Sequence, residues 1–142
     1  LELVPDDPRV EEVARNTFTL AEFLARDPDF EVPDLTGHKI VAQPHCHEAS
    51  VMGWAEEQRL LEKTGAGVIR VSGCCGLAGN FGMIDGHYDT SVAVFGTNLG
   101  PALDAAGEDA IVLADGFSCR LQLEDLRGRQ ALTLAELLVA HS

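Results

Sequence analysis

The stretch GVIRVSGCCG, from Gly67 to Gly76, decides the fold of this chain. Its first five residues form a short run rich in β-branched side chains, which predicts a largely buried strand. The glycines around the cysteine pair predict a tight loop where that strand ends. The chain therefore presents two adjacent thiols, Cys74 and Cys75, at the carboxyl end of a strand.

Two other segments repeat this order of strand, cysteine loop and helix. KIVAQ (39–43) precedes a loop containing Cys46, and AIVLA (110–114) precedes DGFSC, which ends at Cys119. Strands that alternate with helices usually pair in parallel, and ligands bind at the carboxyl ends of such strands. We therefore expect all four cysteines to meet at one edge of a sheet, although Cys46 and Cys119 are 73 positions apart.

The helical patterns complete an α/β fold, with a small parallel sheet of about three or four strands flanked by helices. One helix is expected to follow Cys46, and another is expected over residues 120–126. TLAE at 133–136 is a capping box that predicts a last helix. The apolar residues expected on the first of these helices are Val51, Trp54, Ala55 and Leu61, and those on the last are Leu134, Leu137 and Leu138.

Residues 1–37 predict a helical lead-in or linker before the cysteine-rich unit of residues 38–142. Asp7-Pro8 supplies an N-cap and a proline at the first helical position. A second TLAE capping box lies at 19–22. The expected apolar stripes are Val10, Val13, Ala14, Thr17 and Phe18 in the first helix and Leu20, Phe23 and Leu24 in the second.

Composition limits the classes of function. The net charge of −13 comes from acids spread along the chain, which argues against nucleic-acid binding because that requires a basic face. No apolar stretch reaches the ~18 residues of a membrane span, and no signal peptide is evident. We expect a cytoplasmic protein, at most peripheral to the inner face of the membrane. The first residue is Leu1 and not Met, so we also expect a piece of a longer polypeptide.

The four cysteines are expected to be metal or cluster ligands and not disulfides. Adjacent cysteines such as Cys74 and Cys75 have poor geometry for a disulfide, and their side chains diverge too far to share one metal ion in the usual Cys-x-x-Cys manner. An iron–sulfur cluster spreads its ligand positions and can use both. His45 and His47 flank Cys46 as further candidate ligands, hydrogen-bond donors or proton carriers; surface or capping histidines are the alternative.

Other residues near the cysteines have candidate roles. The glycines around the pair permit positive φ, so we expect amide hydrogens to point at an anionic centre. His87 is expected near the same edge, and Arg120 either offsets negative charge or is an ordinary exposed arginine. A catalytic cysteine activated by His45 or His47 is a further alternative, although that chemistry explains only one of the four thiols.

Three ordered motifs together resemble the cysteine-rich CCG domain of FAD-linked oxidases and iron–sulfur oxidoreductases. They are HCH around Cys46, GCCG around Cys74 and Cys75, and DGFSCR around Cys119. The resemblance covers about residues 38–142 and extends to D-lactate and D-2-hydroxyglutarate dehydrogenases, to anaerobic glycerol-3-phosphate dehydrogenase and to heterodisulfide reductase. It implies electron transfer during oxidation of a small 2-hydroxy acid.

The resemblance also implies a ligand set and partners. Cys46, Cys74, Cys75 and Cys119 match cluster-binding positions, but Gly116 stands where the closing motif of heterodisulfide reductase has a further cysteine. This set would serve an iron–sulfur cluster or, instead, a single zinc or iron ion. FAD would lie in another domain, with flavin and ferredoxin-like domains of the same polypeptide or complex as partners. The alternative is a non-catalytic docking domain that binds zinc or no metal.

Overall fold

The computed structural model of the chain describes residues 7–141. In this range eight α-helices and three β-strands are accompanied by one short 3₁₀ helix, Phe81–Met83. In chain order they are α1 (Pro8–Arg15), α2 (Leu20–Leu24), β1 (Lys39–Ala42), α3 (Cys46–Val51), α4 (Ala55–Lys63), β2 (Gly67–Arg70), α5 (Tyr88–Phe95), α6 (Leu99–Ala106), β3 (Ile111–Leu113), α7 (Phe117–Arg127) and α8 (Leu134–Ala140).

The three strands form one parallel sheet in the order β2-β1-β3. The central strand is β1, where Val41 lies opposite Ile69 of β2 and Val112 of β3. Parallel neighbours require long crossover connections, and helices supply them here. The predicted α/β class with a small parallel sheet flanked by helices is confirmed.

Helices cover both faces of the sheet, so β1 is buried on both sides. Successive side chains of a strand point to opposite faces, which divides the core in two. Val41 packs in one cluster with residues of α5, α6 and α7, whereas Ile40 and Ala42 pack in the other with residues of α4 and α8. This burial explains why the strand sequence is apolar at consecutive positions and does not alternate.

The lead-in packs on the sheet in a way that the sequence pattern did not predict. The capping box of α2 is present, since Thr19 accepts a hydrogen bond from the Glu22 amide. The expected apolar stripe of α2 is wrong at two of its three positions: Leu20 is 41% exposed and Phe23 is 62% exposed. Leu24 is half-buried and packs against the core as expected, next to the buried Ala21. A helix of five residues makes only about one and a half turns, so few of its residues can face the core.

Helix α1 begins as predicted but remains uncovered in the described part of the chain. The Asp7 side chain accepts from the Arg9 amide at 3.0 Å, and Pro8 is the first helical residue. No residue of α1 is buried. Its apolar side lines an open groove of about 860 Å³ together with Val51 and Met52. The division of the chain at residue 37 stays a prediction.

The single helix predicted after Cys46 is two helices. Gly53 has a φ of +90° and lies between α3 and α4, in a backbone conformation that ends a right-handed helix. The predicted common face is therefore wrong, because Val51 is 68% exposed while Trp54 and Leu61 are buried. Apolar spacing alone cannot reveal such a break.

The C-terminal helices lie close to the positions expected. Helix α8 buries the predicted Leu134, Leu137 and Leu138. Helix α7 begins at Phe117 instead of residue 120, which places Cys119 inside its first turn. Within residues 7–141, every helix is too short or too polar to cross a lipid bilayer.

Candidate functional site

The structure brings the four cysteines to one edge of the sheet. Cys46 is the first residue of α3, directly after β1; Cys74 and Cys75 lie in the loop after β2; and Cys119 lies in the first turn of α7, after β3. The side chain of Cys74 lies within interaction distance of Cys46 and of Cys75, and that of Cys75 also lies within this distance of Cys119. The convergence expected from parallel topology is confirmed.

Cys75 and Cys119 form the buried pair, with exposed fractions of 1% and 2%. The Cys119 thiol donates to the Cys75 sulfur, and this hydrogen bond is the main reason that the pKa of Cys75 falls to about 6 despite burial. Amides of Leu77 and Ala78 also donate to that sulfur. The same bond, with burial, raises the pKa of Cys119 far above its ordinary value. The hydrogen bond from Cys119 therefore favours the thiolate form of Cys75.

Cys46 and Cys74 form the accessible pair, since Cys46 is exposed and Cys74 is half-buried. The Gly76 amide donates to the Cys74 sulfur at 3.3 Å. Partial burial of the Cys46 sulfur raises the pKa of this thiol, and negative charge on Cys74 and Cys75 adds to the effect. The two pairs thus act on each other, and backbone amides point at the sulfurs as the glycine-rich loop predicted.

The loop after the cysteine pair closes tightly around Ser91 of α5. A side chain at Gly76, whose φ is +100°, would place Cβ 2.2 Å from the Ser91 carbonyl oxygen. A Cβ at Gly82 would lie 2.3 Å from Ser91 Oγ. Gln122, three residues after Cys119, donates to that same hydroxyl at 2.9 Å. This contact ties the helix of Cys119 to α5, on which the loop of Cys75 closes.

A second buried glutamine, Gln43, connects the chain segments that carry the accessible pair, Cys46 and Cys74. Gln43 Nε2 donates to the carbonyl of Gly73 at 3.0 Å and to that of Pro44 at 3.3 Å, so it links the segments before Cys74 and Cys46. Sequence reasoning missed both glutamines. For Gln43 a signal existed, because a polar residue ends an otherwise apolar strand.

His45 approaches the buried pair through Gly116. A Cβ at position 116 would lie 2.9 Å from His45 Cδ2 and 3.2 Å from Cys119 Sγ. The imidazole ring and the sulfur therefore crowd the same small space beside the glycine. A cysteine at position 116, as in the closing motif of the resemblance, would have to displace the His45 ring.

His47 lies toward an acidic cavity of about 320 Å³ next to the thiols. His45, His47, Glu48, Glu57 and Asp115 line this cavity with apolar neighbours. Burial raises the pKa of Glu57 to about 7, and the negative charge of Asp115 contributes. The pKa of Glu48 is raised by burial and then by Asp115.

Two further candidates have partners away from the cysteines. The His87 ring stacks on Phe81 with a centroid distance of 4.3 Å. Arg120 Nη1 lies 3.8 Å from a carboxylate oxygen of Glu136, in an ion pair between α7 and α8. Arg120 is half-buried, and both of its expected roles stay predictions.

The donor set is spread and not focused on one point. Across residues 7–141, no three His, Cys, Asp or Glu side chains are grouped as the ligands of a single metal ion. Thiolate sulfur is the donor that iron–sulfur clusters require, and such clusters accept ligands that are several ångströms apart. Four thiols arranged as two contacting pairs fit that requirement.

Known proteins resemble this chain only in part. It is 30% identical over 112 residues to D-2-hydroxyglutarate dehydrogenase of Escherichia coli, a match covering 77% of this chain and 11% of the relative. The enzymes of the same name from Pantoea ananatis and Pseudomonas putida are 28% identical over 101 residues and 30% identical over 92 residues. These two matches cover 69% and 61% of this chain, and 10% and 8% of the relatives.

The chain therefore spans about a tenth of the length of these relatives. No family model matches the sequence, and no solved structure matches the fold. The partial matches fit one domain of a larger oxidoreductase. The narrower assignment to a CCG domain stays a prediction.

Proposed function

We propose that this chain is the iron–sulfur domain of an FAD-linked oxidoreductase that oxidises a small 2-hydroxy acid. Cys46, Cys74, Cys75 and Cys119 would hold the cluster, with His45 or His47 as an additional ligand or hydrogen-bond donor. The observation that carries the proposal is the meeting of all four thiols, from three separate segments, at one sheet edge. The partial similarity to D-2-hydroxyglutarate dehydrogenases supports the choice of enzyme class.

A cluster bound to these thiolates would supply one-electron transfer. The residues of this chain provide the environment for it. Amides of Gly76, Leu77 and Ala78 donate to the sulfurs and stabilise their negative charge. FAD and a ferredoxin-like relay would lie in other domains of the same polypeptide or complex, which this domain would contact as its partners.

Neither Cys75 nor Cys46 meets the requirements of the thiol-enzyme alternative. A catalytic cysteine has to be both ionised and accessible to substrate. Cys75 has the lowered pKa but is buried, whereas Cys46 is exposed but has a raised pKa. Rapid alkylation of one cysteine near neutral pH would revive this alternative.

Anaerobic reconstitution with iron and sulfide tests the proposal. We expect iron and sulfide to bind to the wild-type chain, with an EPR signal after reduction or oxidation, and to be lost when all four cysteines are changed to serine. Ser118→Ala is the matched control, because it removes one oxygen beside Cys119 and keeps all four thiols. Iron binding that survives loss of the four thiols would contradict the proposal.

The docking-domain alternative predicts a different metal content. Protein purified without oxygen would then contain zinc without sulfide, or neither, and elemental analysis separates these outcomes from a cluster. Oxygen must be excluded, since thiols exposed to it oxidise.

A further inference from the structure

A pocket of about 450 Å³ opens on the accessible pair of thiols. Cys46 and Cys74 form part of its lining, together with Ser50, Ser72 and Arg70. This volume lies within the range of pockets that hold small organic molecules. The pocket is distinct from the acidic cavity, which lies toward His47 and Glu57.

Within residues 7–141, the lining of this pocket contains an arginine and no acidic residue, whereas the whole chain has a net negative charge. The protein carries 23 acidic and 10 basic residues, yet no Asp or Glu is among the described residues that line the pocket. Arg70 is the basic residue among the described residues of the lining. Beside the thiols of Cys46 and Cys74, the lining offers the Arg70 guanidinium and the Ser72 hydroxyl as groups that can bind an anion, since the Ser50 hydroxyl donates to the His47 carbonyl.

The Arg70 guanidinium is available for such a ligand. Within residues 7–141, the ion pairs of arginine involve Arg9, Arg59, Arg120 and Arg127, and none involves Arg70. Its contact is instead with the ring of Trp54, with Cζ 5.1 Å from the centroid. Trp54 is buried, so the ring supports the cation without neutralising it. Guanidinium groups bind carboxylates through two parallel hydrogen bonds.

We propose that this Arg70 pocket binds the carboxylate group of a small organic acid beside Cys46 and Cys74. The pocket would admit a carboxylate-bearing substrate, product or electron acceptor to the accessible side of the thiol set. That role in electron transfer rests on the proposed function, but binding of the anion itself does not.

Two alkylating reagents of similar size test the proposal. Iodoacetate carries a carboxylate and iodoacetamide does not, and both form the same thioether bond with a thiolate and release iodide. The rates at Cys46 and Cys74 are measured by peptide mass spectrometry on reduced, iron-free protein under anaerobic conditions. The ratio of the two rates removes differences in thiolate fraction. N-acetylcysteine gives the reference ratio of a free thiol.

We expect the ratio of iodoacetate to iodoacetamide rates to exceed the reference by about two- to fivefold, the effect of one exposed ion pair. Arg70→Gln should bring the ratio to the reference or below it. Arg59→Gln is the matched control, since it removes the same charge from an exposed helix position. Glutarate at constant ionic strength should lower the wild-type ratio, and the neutral glutaramide should not.

A ratio at or below the reference in the wild-type chain would overturn the proposal, and so would an equal fall in both variants or no effect of glutarate. The outcome is independent of the cluster, because no iron is present. If the chain reacts preferentially with iodoacetate but binds no iron, the proposed pocket is supported and the proposed function is contradicted. If the chain binds iron and sulfide but shows no preference for iodoacetate, the proposed function is supported and the proposed pocket is contradicted.

Discussion

Gly76→Ala should destabilise the protein far more than Gly79→Ala, although both glycines lie in the loop after the cysteine pair. Both have positive φ, +100° at Gly76 and +76° at Gly79. A left-handed conformation costs a residue with a side chain about 1–2 kcal/mol. At Gly79 this is the whole cost, because nothing lies within 4 Å of the added Cβ.

At Gly76 the added methyl also meets the backbone. Its Cβ would lie 2.2 Å from the Ser91 carbonyl oxygen, which cannot rotate away as a side chain can. Forcing an extra carbon into a packed site costs about 1–3 kcal/mol more. We therefore expect a loss in the free energy of unfolding of about 1–2 kcal/mol for Gly79→Ala and about 2–5 kcal/mol for Gly76→Ala.

Urea unfolding of reduced, metal-free protein measures this difference. With an m-value of about 2 kcal/mol/M, the midpoint should fall by about 0.5–1 M for Gly79→Ala and about 1–2.5 M for Gly76→Ala. Gly82→Ala should lie between them, since its close neighbours are the Ser91 hydroxyl and Cβ. Equal shifts for Gly76→Ala and Gly79→Ala would refute the tight closure of the loop on α5.

Two further predictions concern titration and capping. Folding raises the pKa of Glu57 from 4.5 to about 7, so the folded chain binds this proton more tightly. Its contribution to the free energy of unfolding should fall by about 3 kcal/mol as pH rises through that window. Urea unfolding at pH 5 and pH 8 should show this loss in the wild-type chain and in Glu124→Gln but not in Glu57→Gln. An equal change in the free energy of unfolding between the two pH values in all three proteins would contradict the prediction. Thr133→Ala removes the hydroxyl that accepts a hydrogen bond from the Glu136 amide at 3.2 Å. This change should lower the free energy of unfolding, measured in urea, by about 1 kcal/mol. An unchanged free energy of unfolding would argue against the capping box of α8.

The convergence of the cysteines could be predicted because it depends on topology and not on side-chain detail. Once three strands are parallel, their carboxyl ends lie at one edge, and residues that follow them must meet there. Capping boxes were equally accessible, because Thr19 and Glu22 interact within one helical turn. Local chemistry and chain direction were sufficient for both results.

The errors have a common physical origin in contacts between distant residues. Gly53 breaks a helix that apolar spacing had joined, and the side of α2 that meets the core is set by its packing on α4. The roles of Gln43 and Gln122 depend on partners 30 and 31 positions away, respectively. A sequence read in short windows contains no information about such pairs.

Because β1 pairs with one strand that follows it closely and one that follows much later, the four cysteines come together in a fixed order during synthesis. Cys46, Cys74 and Cys75 leave the ribosome before β3 and α7, which bring Cys119 into place. The donor set is therefore completed only by the last strand to join the sheet, and loop closure of that length is slow relative to local helix formation. On the proposed function, iron delivered to the nascent chain would encounter three of the four thiols before Cys119 is in place, so a cluster would be assembled only after β3 and α7 have joined the fold.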